Sequence, residues 1–126
     1  MIKFLKCKHC GNVVEFVDDS GVPIMCCGEK MQELVANTTD GAKEKHVPVA
    51  TLEGKTLHIE VGSVLHPMSK EHLITTIIVV NGRKEFRVNL TDSVPPIVDF
   101  TVNPDKNIEV YAYCNLHGLW KTVVKE

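Results

Sequence analysis

The 126-residue sequence predicts a mainly β protein: a very small metal-bound N-terminal domain followed by an antiparallel β-sandwich. Three observations lead there. Four of the five cysteines fall within the first 27 residues. Short runs of alternating or β-branched residues recur from about residue 46 onward. No long stretch carries the apolar period of an amphipathic helix.

Bulk properties narrow the function. Apolar residues make up 44% of the chain and charged ones 24%, ordinary values for a globular protein with a core. A net charge of −2 gives no support to a nucleic-acid or membrane-surface role. No apolar run approaches the ~18–20 residues that cross a bilayer. The opening "MIKFLKCKHC" lacks the apolar stretch and cleavage site of a secretory signal. The cytoplasm is therefore the expected location, where clustered thiols point to metal and not to disulfides.

The domains divide as 1–36, a linker at 37–45, and 46–126. The first segment holds few residues able to fill a core, and a unit that small rarely folds without a metal or disulfides. "NTTDGAKEK" is polar and turn-rich. After it, "TLEGKTLHIEV" and "HLITTIIVV" read as strands, and "VVNGRKEFRVNL" as a hairpin turning at Asn81-Gly82. "PIVDFTV", "NIEVYAY" and "LWKTVVK" complete six or seven strands. Prolines at 48, 67, 95, 96 and 104 are expected in breaks, outside the strands.

Two constellations carry chemistry. In the first, "CKHC" places Cys7 and Cys10 on one face of a tight turn, and "CCG" adds Cys26 and Cys27. Four thiolates suit a tetrahedral zinc or iron ion. The adjacent pair reaches one metal less easily than a CxxC pair, so a distorted angle at the metal is expected. His9, inside the CxxC, is read as a turn residue. A structural zinc ribbon is the alternative.

The second constellation is His46, His66, His72, Cys114 and His117. Four of the five histidines outside the first motif stand at element edges, and Cys114 is the only cysteine beyond the N-terminal cluster. Four imidazoles and one thiolate make a five-coordinate set with one axial position open. With a divalent metal the core carries one positive charge, which attracts a small anion. His58, in mid-strand, is read as ordinary.

The CxxC…CC segment resembles desulforedoxin. "EKHVP", "HPM" followed by His72, and "CNLHG" resemble superoxide reductase, and the whole chain resembles the two-iron desulfoferrodoxin family. The resemblance implies a desulforedoxin-like N-terminal domain and an immunoglobulin-like sandwich. It implies two mononuclear irons per chain: Cys7, Cys10, Cys26 and Cys27 holding one, and His46, His66, His72, Cys114 and His117 the other. It further implies one-electron reduction of superoxide to hydrogen peroxide, a rubredoxin-like electron donor and a homodimer. Glu44 and Lys45 match the family's catalytic pair. The glutamate would cap the oxidised iron, and the lysine would attract the anion and organise water for proton delivery. Without the resemblance, "EK" reads as a solvated pair. Pro67 is expected to stiffen the His66 loop, and Trp120 to anchor the core. Rival readings are a non-catalytic iron electron carrier, a zinc-ribbon binding module and a superoxide dismutase.

Overall fold

The computed structural model describes residues 2–39 and 41–126, and the chain divides into two compact units, Met1–Val35 and Ala36–Glu126. In the first unit, β1 (Phe4–Lys6) lies between β2 (Val13–Glu15) and β5 (Gln32–Glu33) in an antiparallel sheet, and β3 (Met25–Cys26) pairs with β4 (Glu29–Lys30). Its core is Leu5, Cys7 and Met31, with Val14, Phe16, Ile24 and Cys26 packed around them. Two cysteines thus stand where a larger domain would put aliphatic side chains.

The second unit is an antiparallel sandwich of three and four strands. One sheet has the order β10 (Ile97–Thr101), β7 (Thr56–Val61), β6 (Pro48–Glu53). The other has the order β12 (Gly118–Lys125), β11 (Ile108–Cys114), β8 (Ile74–Asn81), β9 (Lys84–Asn89). A single helical turn, α1 (Lys43–His46), precedes β6. Among the described residues, no helix is long and apolar enough to cross a membrane.

The two-residue period of a strand explains the core. Leu57, Ile59 and Val61 of β7 face inward, while His58 and Glu60 face out. On β11 the inward set is Ile108, Val110, Ala112 and Cys114. Cys114 is therefore delivered to the interior by the same alternation that buries three aliphatic side chains. The partner strand β8 carries a bulge: Tyr113 pairs with Thr76 but Cys114 with Ile74. The extra residue, Thr75, lets Ile74 and Ile77 both face the core despite their odd separation.

Three local expectations change. "TLEGKTLHIEV" is not one strand but the end of β6, a tight turn at Gly54-Lys55, and β7, with Glu53 paired to Thr56. Pro48 opens β6; its missing N–H is tolerated at the first residue of an edge strand. The β8–β9 turn is one residue later than expected, because Asn81 pairs with Lys84 and leaves Gly82-Arg83 as the loop. Asn81 is buried, and its side chain binds the 103–107 loop instead of shaping the turn.

Candidate metal centres

In the N-terminal unit, Cys7 follows β1 and opens a turn closed by the Cys7 N–H to the Asn12 carbonyl (2.9 Å) and the Gly11 N–H to the Cys7 carbonyl (2.9 Å). Cys10 sits on that turn. Cys26 ends β3, and Cys27 and Gly28 form the two-residue loop to β4 with φ of 53° and 73°. Hairpin loops of this length favour positive φ, usually supplied by Asn-Gly. A cysteine there costs roughly 1–2 kcal/mol. The adjacent pair therefore carries strain in the backbone of Cys27, and both thiols reach one cluster.

The four Sγ atoms lie within 4.8 Å of one another, with Cys10 and Cys26 3.6 Å apart. Thiolates about 2.3 Å from a tetrahedral ion stand ~3.8 Å from each other. None of the five cysteines forms a disulfide. The backbone N–H of Cys10 draws the Cys7 thiol down to about 6, whereas Cys27 is pushed up to about 12, first by its contact with the Cys10 thiol. One thiolate forms readily and the later ones do not, so a cation is what allows all four to ionise together. His9 lies 3.4 Å from Glu29, which also pairs with Lys8, so it takes a surface ion-pair position. Asn12, which the sequence reading did not single out, donates its side-chain N–H to the Cys26 sulfur at 3.8 Å.

In the second unit five elements meet. His46 ends α1, His66 follows β7, and His72 precedes β8. Cys114 ends β11, and His117 sits in the three-residue loop that leads into β12 through Gly118. The imidazoles form a closed ring in the order His46, His66, His72, His117. Adjacent centroids are 4.6–4.8 Å apart and adjacent planes cross at 76–89°. Across the ring, His46 and His72 are 6.0 Å apart and nearly parallel, at 30°.

Tautomers follow from the carbonyls. His46 Nδ1–H donates to Ala42 O (2.7 Å) and His66 Nδ1–H to Pro67 O (2.7 Å), so each ring turns a bare Nε2 lone pair inward. Those two Nε2 atoms face each other at 3.2 Å, with no proton to share. His117 Nδ1 lies 3.0 Å from His46 Nε2 and 3.2 Å from His72 Nε2. A square with such edges has its centre about 2.2 Å from each nitrogen, close to a metal–imidazole bond of ~2.0–2.1 Å. Burial lowers the pKa of His46 and of His72, and takes His66 down to about 4, so protonation does not relieve the facing lone pairs. The donor set fits a metal ion.

Cys114 completes the set from the interior. Its sulfur is fully buried, 4.0 Å from His117 Nδ1, and accepts the His117 backbone N–H at 3.4 Å. His72 and His117 are only half-buried and mark the solvent side.

The desulfoferrodoxin family model matches residues 38–123. The chain belongs to the desulfoferrodoxin family. It is 41% identical to a desulfoferrodoxin homolog of Archaeoglobus fulgidus, over 97% of each chain. It is 42% identical to a desulfoferrodoxin of Nitratidesulfovibrio vulgaris, over 92% of this chain and 91% of the relative. The superoxide reductase structure from Treponema pallidum superposes with a TM-score of 0.77 at 30% identity, covering 97% of this chain and 98% of that one. Desulfoferrodoxins carry two iron centres, and this chain gathers four cysteines at one site and His46, His72, Cys114 and His117, with His66 against His46, at another.

Glu44 and Lys45 are exposed on α1. Their charges are felt at the ring: Lys45 helps lower His46 and His72, and Glu44 works in the opposite sense on His46. The Glu44 carbonyl accepts the Val64 N–H (2.8 Å) and the Ser63 hydroxyl (3.3 Å), which pins α1 against the turn after β7. Pro67 bears on His66 through its carbonyl, beyond any stiffening of the loop. Trp120 is buried as expected, but against the site: its ring lies 4.9 Å from that of His46, and its indole N–H donates to His117 O at 3.2 Å. The Thr39 hydroxyl donates to the same carbonyl.

Proposed function

We propose that this chain is a superoxide reductase, which consumes superoxide, one electron and two protons and releases hydrogen peroxide without forming dioxygen. The observation that carries this reading is the ring of four imidazoles, with the lone pairs of His46 and His66 fixed inward, backed by one buried thiol. Relatives named desulfoferrodoxin and superoxide reductase support it. Iron, held by the four imidazoles and the thiolate, would supply the electron that superoxide takes up.

The chain's own residues do the rest. His46, His66, His72 and His117 would hold the ion by their ring nitrogens, and Cys114 would hold it from the buried side. The Cys114 thiolate would lend it electron density and so favour product release. The net positive charge of the filled core attracts an anion to a chain that is otherwise acidic. Lys45 adds to that attraction and orders water for protonation. Glu44 would cap the site once the bound iron is oxidised. Cys7, Cys10, Cys26 and Cys27 hold the second iron, on which the folding of the small N-terminal unit depends. A rubredoxin-like carrier as donor, a homodimer as the working form and the cytoplasm as its place rest on the family resemblance.

The first experiment measures iron and zinc per chain, with visible spectra before and after stoichiometric ferricyanide, followed by kinetics with pulsed superoxide. Two irons per chain, a new long-wavelength thiolate-to-iron band on oxidation and fast consumption of superoxide are expected. One zinc and no oxidisable iron, in protein from iron-replete cells, would overturn the reading.

A further inference from the structure

The sandwich has a second concave region, at the end away from the imidazoles. Cys114, His117 and the start of β8 lie at one end. The turns at Gly54-Lys55 and Gly82-Arg83 and the 103–107 loop lie at the other, about 20 Å off along the seven residues of β11. Together they line an open groove of about 1320 Å³. Its charged residues are Lys55, Arg83, Lys84 and Lys106 against Asp105 alone, on a chain whose net charge is −2. Among the described residues, none of these four cations forms an ion pair. The Lys125 ammonium, bound to the Pro104 carbonyl, adds a fifth positive charge at the rim. A groove on the N-terminal unit differs in degree, because two of its three cations, Lys3 and Lys8, are already paired with Asp19 and Glu29, and Glu33 also lines it.

The walls are held from inside. Asn81 is 4% exposed, donates to the carbonyls of Asn103 (2.9 Å) and Asn107 (3.1 Å), and accepts the Asn103 N–H (2.7 Å). The Lys106 stem lies over Gly82, where a Cβ would stand 3.3 Å from it. Like charges gathered in one place repel until a counter-charge arrives. A cleft set in advance lowers the ordering cost of receiving one.

We propose that this groove binds a linear phosphate oligoanion. The planar fork of Arg83 matches two phosphate oxygens, and the lysines act as point charges that tolerate varied spacing. Cations contributed by three separate loops around a groove of this size suit a chain of phosphates better than a single one. Phe86 contributes an aromatic lining, which separates the two sources of such a chain. A nucleoside triphosphate gains from a base against that ring, and inorganic polyphosphate does not.

The test is calorimetric titration of the full, metal-loaded chain with tripolyphosphate and, separately, ATP, at about 50 mM and 150 mM salt. The comparison is Arg83→Gln/Lys84→Gln, two exposed positions outside the iron chemistry. Saturable binding of tripolyphosphate, weakened at least tenfold in the variant and less salt-dependent there, is expected. Equal affinity for ATP upholds the site as one for inorganic chains, and tighter ATP binding upholds it as a nucleotide site. No binding at the lower salt, or binding that the variant leaves unchanged, would overturn the proposal. Metal content and melting temperature of the variant, expected at wild-type values, show that any loss is local.

Discussion

Gly62 has no side chain because three backbone atoms occupy the place one would take. A Cβ there would stand 2.3 Å from Val64 O, 2.6 Å from Glu44 O and 2.7 Å from Lys45 C, on a backbone with φ of +89°. Gly62→Ala is therefore expected to cost at least roughly 2 kcal/mol, and to lower iron occupancy by moving the turn that carries His46. Thermal melting and metal analysis of one sample check both. Lys45→Ala leaves the ligands in place, so it should slow the second-order reaction with superoxide several-fold and flatten its salt dependence, as pulsed kinetics would record. His58 gives a pH prediction. Hydrogen bonds to Glu60 and Asp99, at 2.9 and 2.6 Å, raise its pKa above the ordinary value. The stability this adds is complete below the unfolded value of about 6.5 and is lost as pH rises through the higher folded one. Melting temperature should fall slightly as pH rises above about 6.5, and His58→Gln should reduce that fall.

At the scale of elements, the question is which turns the pattern of residues reveals. Runs rich in Ile and Val marked β8 and β11 directly, because two-residue alternation and β-branching are local signals. "CNLHG" stood out by the spacing of its cysteine and histidine and by its family resemblance, and Gly118, at φ +86°, is the left-handed corner of the hairpin it forms. The β8–β9 turn was displaced by one residue, since Asn81 has a tertiary task that no short motif displays. Cys27 was legible as a ligand but not as a left-handed residue. The roles of Trp120, Thr39 and Asn12 depend on groups distant in sequence, and nothing local announces them. Asn81→Leu tests the tertiary task. It would leave the Asn103 N–H and the carbonyls of Asn103 and Asn107 without their partner, at a cost of about 2–3 kcal/mol in urea unfolding. Iron bound at the opposite end of the sandwich should be unaffected.

Over the whole molecule, the two units reach stability by different routes. The sandwich has a continuous core of residues such as Leu57, Ile59, Ile77, Val79 and Val110, all fully buried. Among the described residues, the core cluster of the N-terminal unit has three buried members, one of them Cys7. Cys10→Ser should therefore cost that unit its metal and most of its protection against proteolysis. The absorption of the iron held by the imidazoles and Cys114 should persist, and limited proteolysis with visible spectroscopy would report the two separately. Turnover retained with a normal donor would also count against an obligatory electron relay through the four-cysteine site.

The bonds from His46 to Ala42 O and from His66 to Pro67 O bear on how the protein matures. Because the polypeptide itself aims these rings, the chain sets both tautomers. An ion that binds there displaces no proton from those two side chains. Loading there should release fewer protons than loading of the four cysteines, whose later thiols must each surrender one. Proton uptake or release, followed in weakly buffered solution, would thus tell the two seats apart.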